Sequence, residues 1–173
     1  MKLTTIMKYH ISLILFMFLN YSFAQGPWDF TNSTDSWAAS NYSSISASTD
    51  ASHATYTITD SGDGNGSSAN PNLSNTSTSI NSSYGNILAV TIQNNTLNAR
   101  LRIILNRSSG TTSYTNVDIT TQDSKFKTYL IDMSGNAQWT GTVSDVTLRF
   151  QTDSSHNQSK AGTIYIDKIE VTM

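Results

Sequence analysis

"GTIYIDKIEVTM", residues 162–173, is rich in β-branched and aromatic residues, and its apolar positions are Ile164, Ile166, Ile169 and Val171. In a strand, successive side chains point to opposite faces, so a buried face collects residues of one parity. Here 164 and 166 are even while 169 and 171 are odd, and Asp167 stands at the change. The stretch therefore predicts a long strand, buried on one face, with a break of register around an aspartate at its centre.

The rest of the chain repeats the strand signal. "YSSISAS" (42–48), "ATYTIT" (54–59), "NILAVTIQN" (86–94), "RLRIILN" (100–106), "SYTNVDIT" (113–120), "FKTYLIDM" (126–133) and "DVTLRFQT" (145–152) mostly alternate. Gly, Ser, Asn and Asp clusters separate them, and no helical period competes. Some eight strands predict an all-β chain folded as a two-sheet antiparallel β-sandwich. Alternation also assigns faces. Leu101, Ile103 and Leu105 turn one way and Arg100, Arg102 and Asn106 the other; Val146, Leu148 and Phe150 oppose Thr147, Arg149 and Gln151. Tyr129, Ile131 and Met133 are expected inside.

Residues 60–85, "DSGDGNGSSANPNLSNTSTSINSSYG", form the longest irregular stretch. At that length it is expected to cross between sheets or border a site, with partial disorder as the alternative. Its "DGNG" (63–66) lacks the spacing and closing glutamate of a calcium loop and reads as a flexible turn.

The opening "MKLTTIMKYHISLILFMFLNYSFAQG" has a lysine-bearing start, a short apolar run, and small residues at Ser22 and Ala24. This is the pattern of a secretory signal, with cleavage expected after Ala24, so that residues 1–24 are leader and 25–173 a single domain. The leader holds two of the ten basic residues and none of the twelve acidic ones, which leaves the domain mildly acidic. No basic run is present, so nucleic acid and anionic membrane are not expected partners. Cysteine is absent, so an exported domain gains nothing from disulfides and a metal ion is the remaining staple.

Several stretches together resemble carbohydrate-binding modules of families 4, 9 and 22. "WDFTNSTDSW" (28–37) resembles their opening, and "NPNL" (70–73) before "INSSYGNILAVTIQNNT" (80–96) resembles the approach to their first long inner strand. "FKTYLIDMSGNAQWTGTVSDVTLRF" (126–150) followed by "GTIYIDKIEV" (162–171) resembles their second half. The resemblance implies a jelly-roll, galactose-binding-like sandwich that holds a polysaccharide on one sheet face. It further implies a secreted polysaccharide-degrading enzyme as partner. It also implies a structural calcium between first and last strands. Asp167 matches the last-strand ligand and Thr31 the first-strand one, with Asp29 a neighbouring candidate. Calcium accepts six to eight oxygens in irregular geometry. A bulge at 167–168 would turn a side chain and carbonyls toward the ion and produce the parity change.

Saccharide binding needs flat apolar faces and side chains that hydrogen-bond hydroxyls in pairs. Tyr114 is the best aromatic candidate, being out of phase with Val117 and Ile119. Arg100, Arg102, Asn106, Arg149 and Gln151 are the polar set, because the guanidinium fork suits paired hydroxyls or a carboxylate. Three arginines on one face favour an anionic polysaccharide, uronate-bearing or sulfated. Pairing with Asp118 or Asp132 as surface decoration is the competing reading. Trp37 and Trp139 are expected to pack, and His53 and His156 to be surface residues without metal-ligand spacing.

No catalytic set is expected. Glycosidases place two carboxylates across the bond, and Glu170 is the sole glutamate. Nucleophile signatures are missing. A jelly-roll lyase could still be imitated by Arg102, Gln151 and Tyr114. An adhesive or structural surface module is a third reading of the same sandwich.

Overall fold

The computed structural model describes residues 25–59, 67–106, 112–152 and 158–173. The proposed leader, the "DGNG" segment and His156 lie outside the described residues. Strands run in the order β1 (Gln25–Trp28), β2 (Ala38–Ser40), β3 (Ser43–Ala47), β4 (Ala54–Ile58), β5 (Ser67–Ala69), β6 (Asn72–Asn75) and β7 (Ile80–Asn81). They continue as β8 (Ile87–Asn94), β9 (Arg100–Asn106), β10 (Thr112–Asp118), β11 (Lys127–Asp132), β12 (Thr142–Val143), β13 (Val146–Gln151), β14 (Gln158–Lys160) and β15 (Gly162–Thr172). All eight segments singled out by alternation are strands.

Two antiparallel sheets face each other. The first has the order β11-β8-β15-β4-β3, with β1 added against β15; the second has the order β10-β9-β13-β6-β2. Two-stranded pairs β12-β7 and β14-β5 flank them. The facing surfaces interdigitate as alternation requires. Leu101, Ile103, Leu105, Leu148, Phe150 and Leu73 come from the second sheet, and Tyr56, Leu88, Val90, Ile92, Ile164 and Ile166 from the first. Trp37, Trp139, Ile131 and Met133 also join this core, whereas Tyr129 packs against it only partly buried.

The register break in β15 is a bulge. Ile166 pairs with Ile92 and Lys168 with Thr91, so Asp167 is the extra residue. Below it Ile164 and Ile166 are buried; above it Ile169 and Val171 are. One inserted residue thus keeps both halves of an eleven-residue strand facing the same core. The first strand runs directly against the last, with Gln25 opposite Val171 and Trp28 opposite Ile169.

Residues 67–85 are more ordered than their composition suggests. They supply β5, β6, β7 and a 3₁₀ turn at Ser82–Tyr84. β6 is an inner strand of the second sheet, pairing with both β13 and β2. The stretch thus passes from the first sheet, where β4 lies, to the second, as expected, and also builds part of that second sheet. Asn75 on β6 is buried, and its amide donates to the Asp35 carbonyl at 3.1 Å, tying the loop after β1 to that sheet.

Candidate functional site

The outward side chains of β10, β9, β13 and β6 line up in rows across the second sheet. Ladder pairings put Asn116 opposite Arg102, Arg102 opposite Arg149, and Tyr114 opposite Ile104, itself opposite Thr147. The Arg149 Nε donates to Asn72 Oδ1 at 2.8 Å and its NH1 to Asn70 Oδ1 at 2.9 Å. Arg102 Nε donates to Asn116 Oδ1 at 2.8 Å. The row Asn116–Arg102–Arg149–Asn72 therefore crosses four strands, roughly 14 Å at ~4.8 Å per strand. A groove of about 250 Å³ lies along it, lined by Asn72, Ile104, Asn106, Thr112, Tyr114, Thr147 and Arg149.

Two guanidiniums on directly opposed residues repel each other. Arg149 is half-buried, and its pKa is lowered first by that burial and then by the Arg102 charge, with Tyr114 and Tyr56 opposing. Its hydrogen-bond partners are amide oxygens, which orient the fork without neutralising it. The groove therefore presents a fixed cation that an anion would relieve. Tyr114 forms one wall: it is 55% exposed, and the Arg102 guanidinium lies 5.0 Å from its ring centroid. That contact braces the ring on one side.

The predicted site residues divide. Asn106, Tyr114 and Arg149 line the groove, and Arg102 stands beside it, opposite Arg149 and against the Tyr114 ring. Asn106 is held between its neighbours, accepting from the Thr112 hydroxyl at 3.0 Å and donating to Asp145 at 3.4 Å. Arg100 and Gln151 share the same parity but are withdrawn from solvent, at 5% and 0% exposure. They bond to each other, Arg100 Nε and NH2 reaching Gln151 Oε1 at 3.1 and 2.8 Å. Their expected place on the accessible face is corrected to a buried polar clamp. The imitation lyase set fails with it, because Gln151 is locked away from Tyr114 and Arg102. The expected pairing of these arginines with aspartates is replaced, for Arg149, by asparagines.

Asn70, Asn72, Thr112, Asn116 and Thr147 were not singled out. Thr147 was legible from its parity with Arg149. Asn72 carried one signal, a polar–apolar–polar "NLS" that fits a short strand, inside a stretch read as irregular.

At the junction of β1 and β15, the loop after β1 is tightly wound. Phe30, Asn32, Asp35 and Ser36 all have positive φ. Asp29 Oδ1 accepts from the Thr31 N–H at 3.0 Å, and Asp35 Oδ2 from the Phe30 N–H at 2.9 Å. Among the described residues no group of three or more His, Cys, Asp or Glu is gathered as a metal cluster, so an ion here would draw on hydroxyl and carbonyl oxygens as well.

No protein-family model matches the chain, and no curated protein matches it. Solved structures do. The family 11 carbohydrate-binding module of a cellulosomal cellulase from Clostridium thermocellum is similar at 15% identity and a TM-score of 0.58, over 85% of this chain and 93% of that one. A mutant of CBM29-2, a family 29 carbohydrate-binding module, is similar at 13% identity and a TM-score of 0.51, over 83% of this chain and 89% of that one. An agarase is similar at 10% identity and a TM-score of 0.59, over 86% of this chain, which spans 25% of the agarase. The fold is that of the β-sandwich carbohydrate-binding modules.

Proposed function

We propose that this protein is an exported, non-catalytic polysaccharide-binding module that holds an anionic glycan across the β10-β9-β13-β6 face. The observation that carries the reading is Arg149, a half-buried cation fixed by two asparagines beside Arg102, on a groove walled by Tyr114. A uronate or sulfate offers the planar or tetrahedral oxygens that such a fork binds in pairs. The Tyr114 ring offers a flat face to the C–H side of a neighbouring pyranose. Among the described residues neither carboxylate nor histidine lines the groove, so there a bound chain meets hydrogen-bonding groups and no acid–base pair. The likeness to family 11 and family 29 modules supports saccharide as the ligand class. Export with cleavage after Ala24, and service beside a secreted polysaccharide-degrading enzyme, complete the proposal.

A structural calcium belongs to the same reading. Asp167, Thr31 and Asp29 would supply oxygen donors, with backbone carbonyls of the wound 29–36 loop. Two observations support the fit: β1 is paired to β15 beside the bulge, and the donor set is all oxygen. When bound, the ion would supply a cross-link between the two strands and no chemistry.

The test is a panel of soluble polysaccharides, neutral, uronate-bearing and sulfated, run with calcium and with chelator. Binding to an anionic member without release of reducing or unsaturated ends is expected. Unsaturated products would move the protein to the lyase class, and binding to none, at concentrations that detect millimolar affinity, would move it to the adhesive class.

A further inference from the structure

The outer face of the first sheet carries an aromatic cluster that the groove does not use. Phe126 immediately precedes β11 and is 41% exposed. Tyr165 lies between buried Ile164 and Ile166 on β15, so its side chain turns outward. His53, the residue before β4, touches both, its ring centroid 5.9 Å from that of Phe126 and 4.9 Å, edge-on, from that of Tyr165.

The imidazole is held in one orientation. Asp50 Oδ1 accepts the Ser48 hydroxyl at 2.6 Å and the Ser52 hydroxyl at 2.8 Å. Ser52 Oγ also lies 2.9 Å from His53 Nδ1. A hydroxyl has one hydrogen, and Ser52 gives it to the carboxylate, so toward the ring it accepts. That assigns the neutral ring's proton to Nδ1 and leaves Nε2 as an acceptor. The described residues make no hydrogen bond to Nε2 or to the Tyr165 hydroxyl. One of these polar atoms is on the ring packed beside the exposed Phe126 phenyl, the other on the ring packed against that imidazole.

The electrostatics differ from those of the groove. Lys127, next to Phe126, is paired with Asp123 at 2.7 Å, and Lys168 on the same sheet with Glu170 at 2.8 Å. Both of these cations are held by the protein's own carboxylates, so neither offers a bare charge to an anion, and the surface suits an uncharged ligand. The ligand class with an apolar face ringed by hydroxyls is a pyranose.

We propose that His53, Phe126 and Tyr165 form a second saccharide contact, independent of the groove, that takes a neutral pyranose. Its C–H face covers the Phe126 ring, one hydroxyl donates to His53 Nε2, and another bonds the Tyr165 hydroxyl. Sites on opposite sheets give the module two hands, able to hold an anionic and a neutral glycan at once.

The test is aromatic-side-chain NMR on the full domain, titrated with methyl β-glucopyranoside and methyl β-galactopyranoside. It is run in wild type and in the Arg102→Ala/Arg149→Ala double variant. Saturable shifts of the His53 and Phe126 rings are expected with at least one sugar, at a Kd on the order of 1–50 mM for so small a contact. They are unchanged in the arginine variant, retained in Phe126→Tyr, and weakened at least about tenfold in Phe126→Ala, a loss of ~1.4 kcal/mol. His53→Phe keeps a ring but removes Nε2 and is expected to weaken binding about fivefold. Absence of saturable shifts with both sugars, or undiminished shifts in Phe126→Ala and His53→Phe, overturns the proposal.

Discussion

Arg149 shows how its neighbours shape a candidate binding residue. Alternation along "DVTLRFQT" placed it on the outward face, and the fold set it opposite Arg102 between asparagines that aim it without quenching its charge. Charge-assisted hydrogen bonds contribute about 1.5–3 kcal/mol each. Arg149→Ala is therefore expected to weaken binding of an anionic polysaccharide by ~10–100-fold, with Arg149→Lys intermediate because it keeps charge and loses the fork; titration calorimetry reads both. Arg100 and Gln151 mark where residue-level reading stops. Parity tells which face a side chain takes but not whether anything covers that end of the sheet, and there the two bury against each other. Asp50 supplies the pH-sensitive residue. Hydrogen bonds from Ser48 and Ser52 lower its carboxyl from 3.8 to about 2. A depressed acid contributes its stabilisation fully above its unfolded value near 3.8 and loses it as pH falls through about 2. Asp50→Ala is accordingly expected to speed amide exchange at Ser52 and His53 at neutral pH. The difference from wild type should close below about pH 2.

At the scale of elements, the bulge in β15 was readable because the hydrophobic period itself recorded it. Two apolar pairs of opposite parity flank one aspartate, and the ladder steps over that residue. β6 was not readable: Asn72, Leu73, Ser74 and Asn75 contain one apolar residue, too few for a period, and the pairing that makes them a strand comes from distant β13 and β2. The two elements carry separate predictions. If Asp167 takes part in a calcium link, chelation should lower the melting temperature of the wild type, and Asp167→Ala should melt at the chelated value with or without the ion. Equal melting with and without calcium in the wild type would remove the ion from the account. Gly85 reports on how the far end of β15 is held. A Cβ there would stand 2.2 Å from the Thr172 carbonyl oxygen, and the Gly85 carbonyl accepts the Trp139 indole N–H at 3.0 Å. Backbone must move to admit a methyl group, so Gly85→Ala is expected to cost about 1–3 kcal/mol in denaturant unfolding.

For the whole molecule, composition and alternation fixed the class, a two-sheet sandwich with its core between the sheets, because a period of two needs no knowledge of partners. The candidate site was legible in part: the strands and face that hold Arg102, Asn106, Tyr114 and Arg149 follow from sequence. The asparagines that orient the arginines do not, since they come from a segment with no pattern. Charge is the property that links site to function at this scale. The chain is acidic overall, yet its groove is cationic, so on the proposed reading a polyanion is drawn by a local field against the global one. Binding should therefore weaken steeply between low salt and about 0.5 M, where screening acts over less than ~5 Å. The most direct measurement is affinity electrophoresis of wild type and Arg102→Ala/Arg149→Ala in gels containing a uronate-bearing, a sulfated or a neutral polysaccharide. Retardation of the wild type in at least one anionic gel, abolished in the double variant, is the predicted result. Equal retardation of both proteins, or retardation of the wild type in the neutral gel alone, would contradict it.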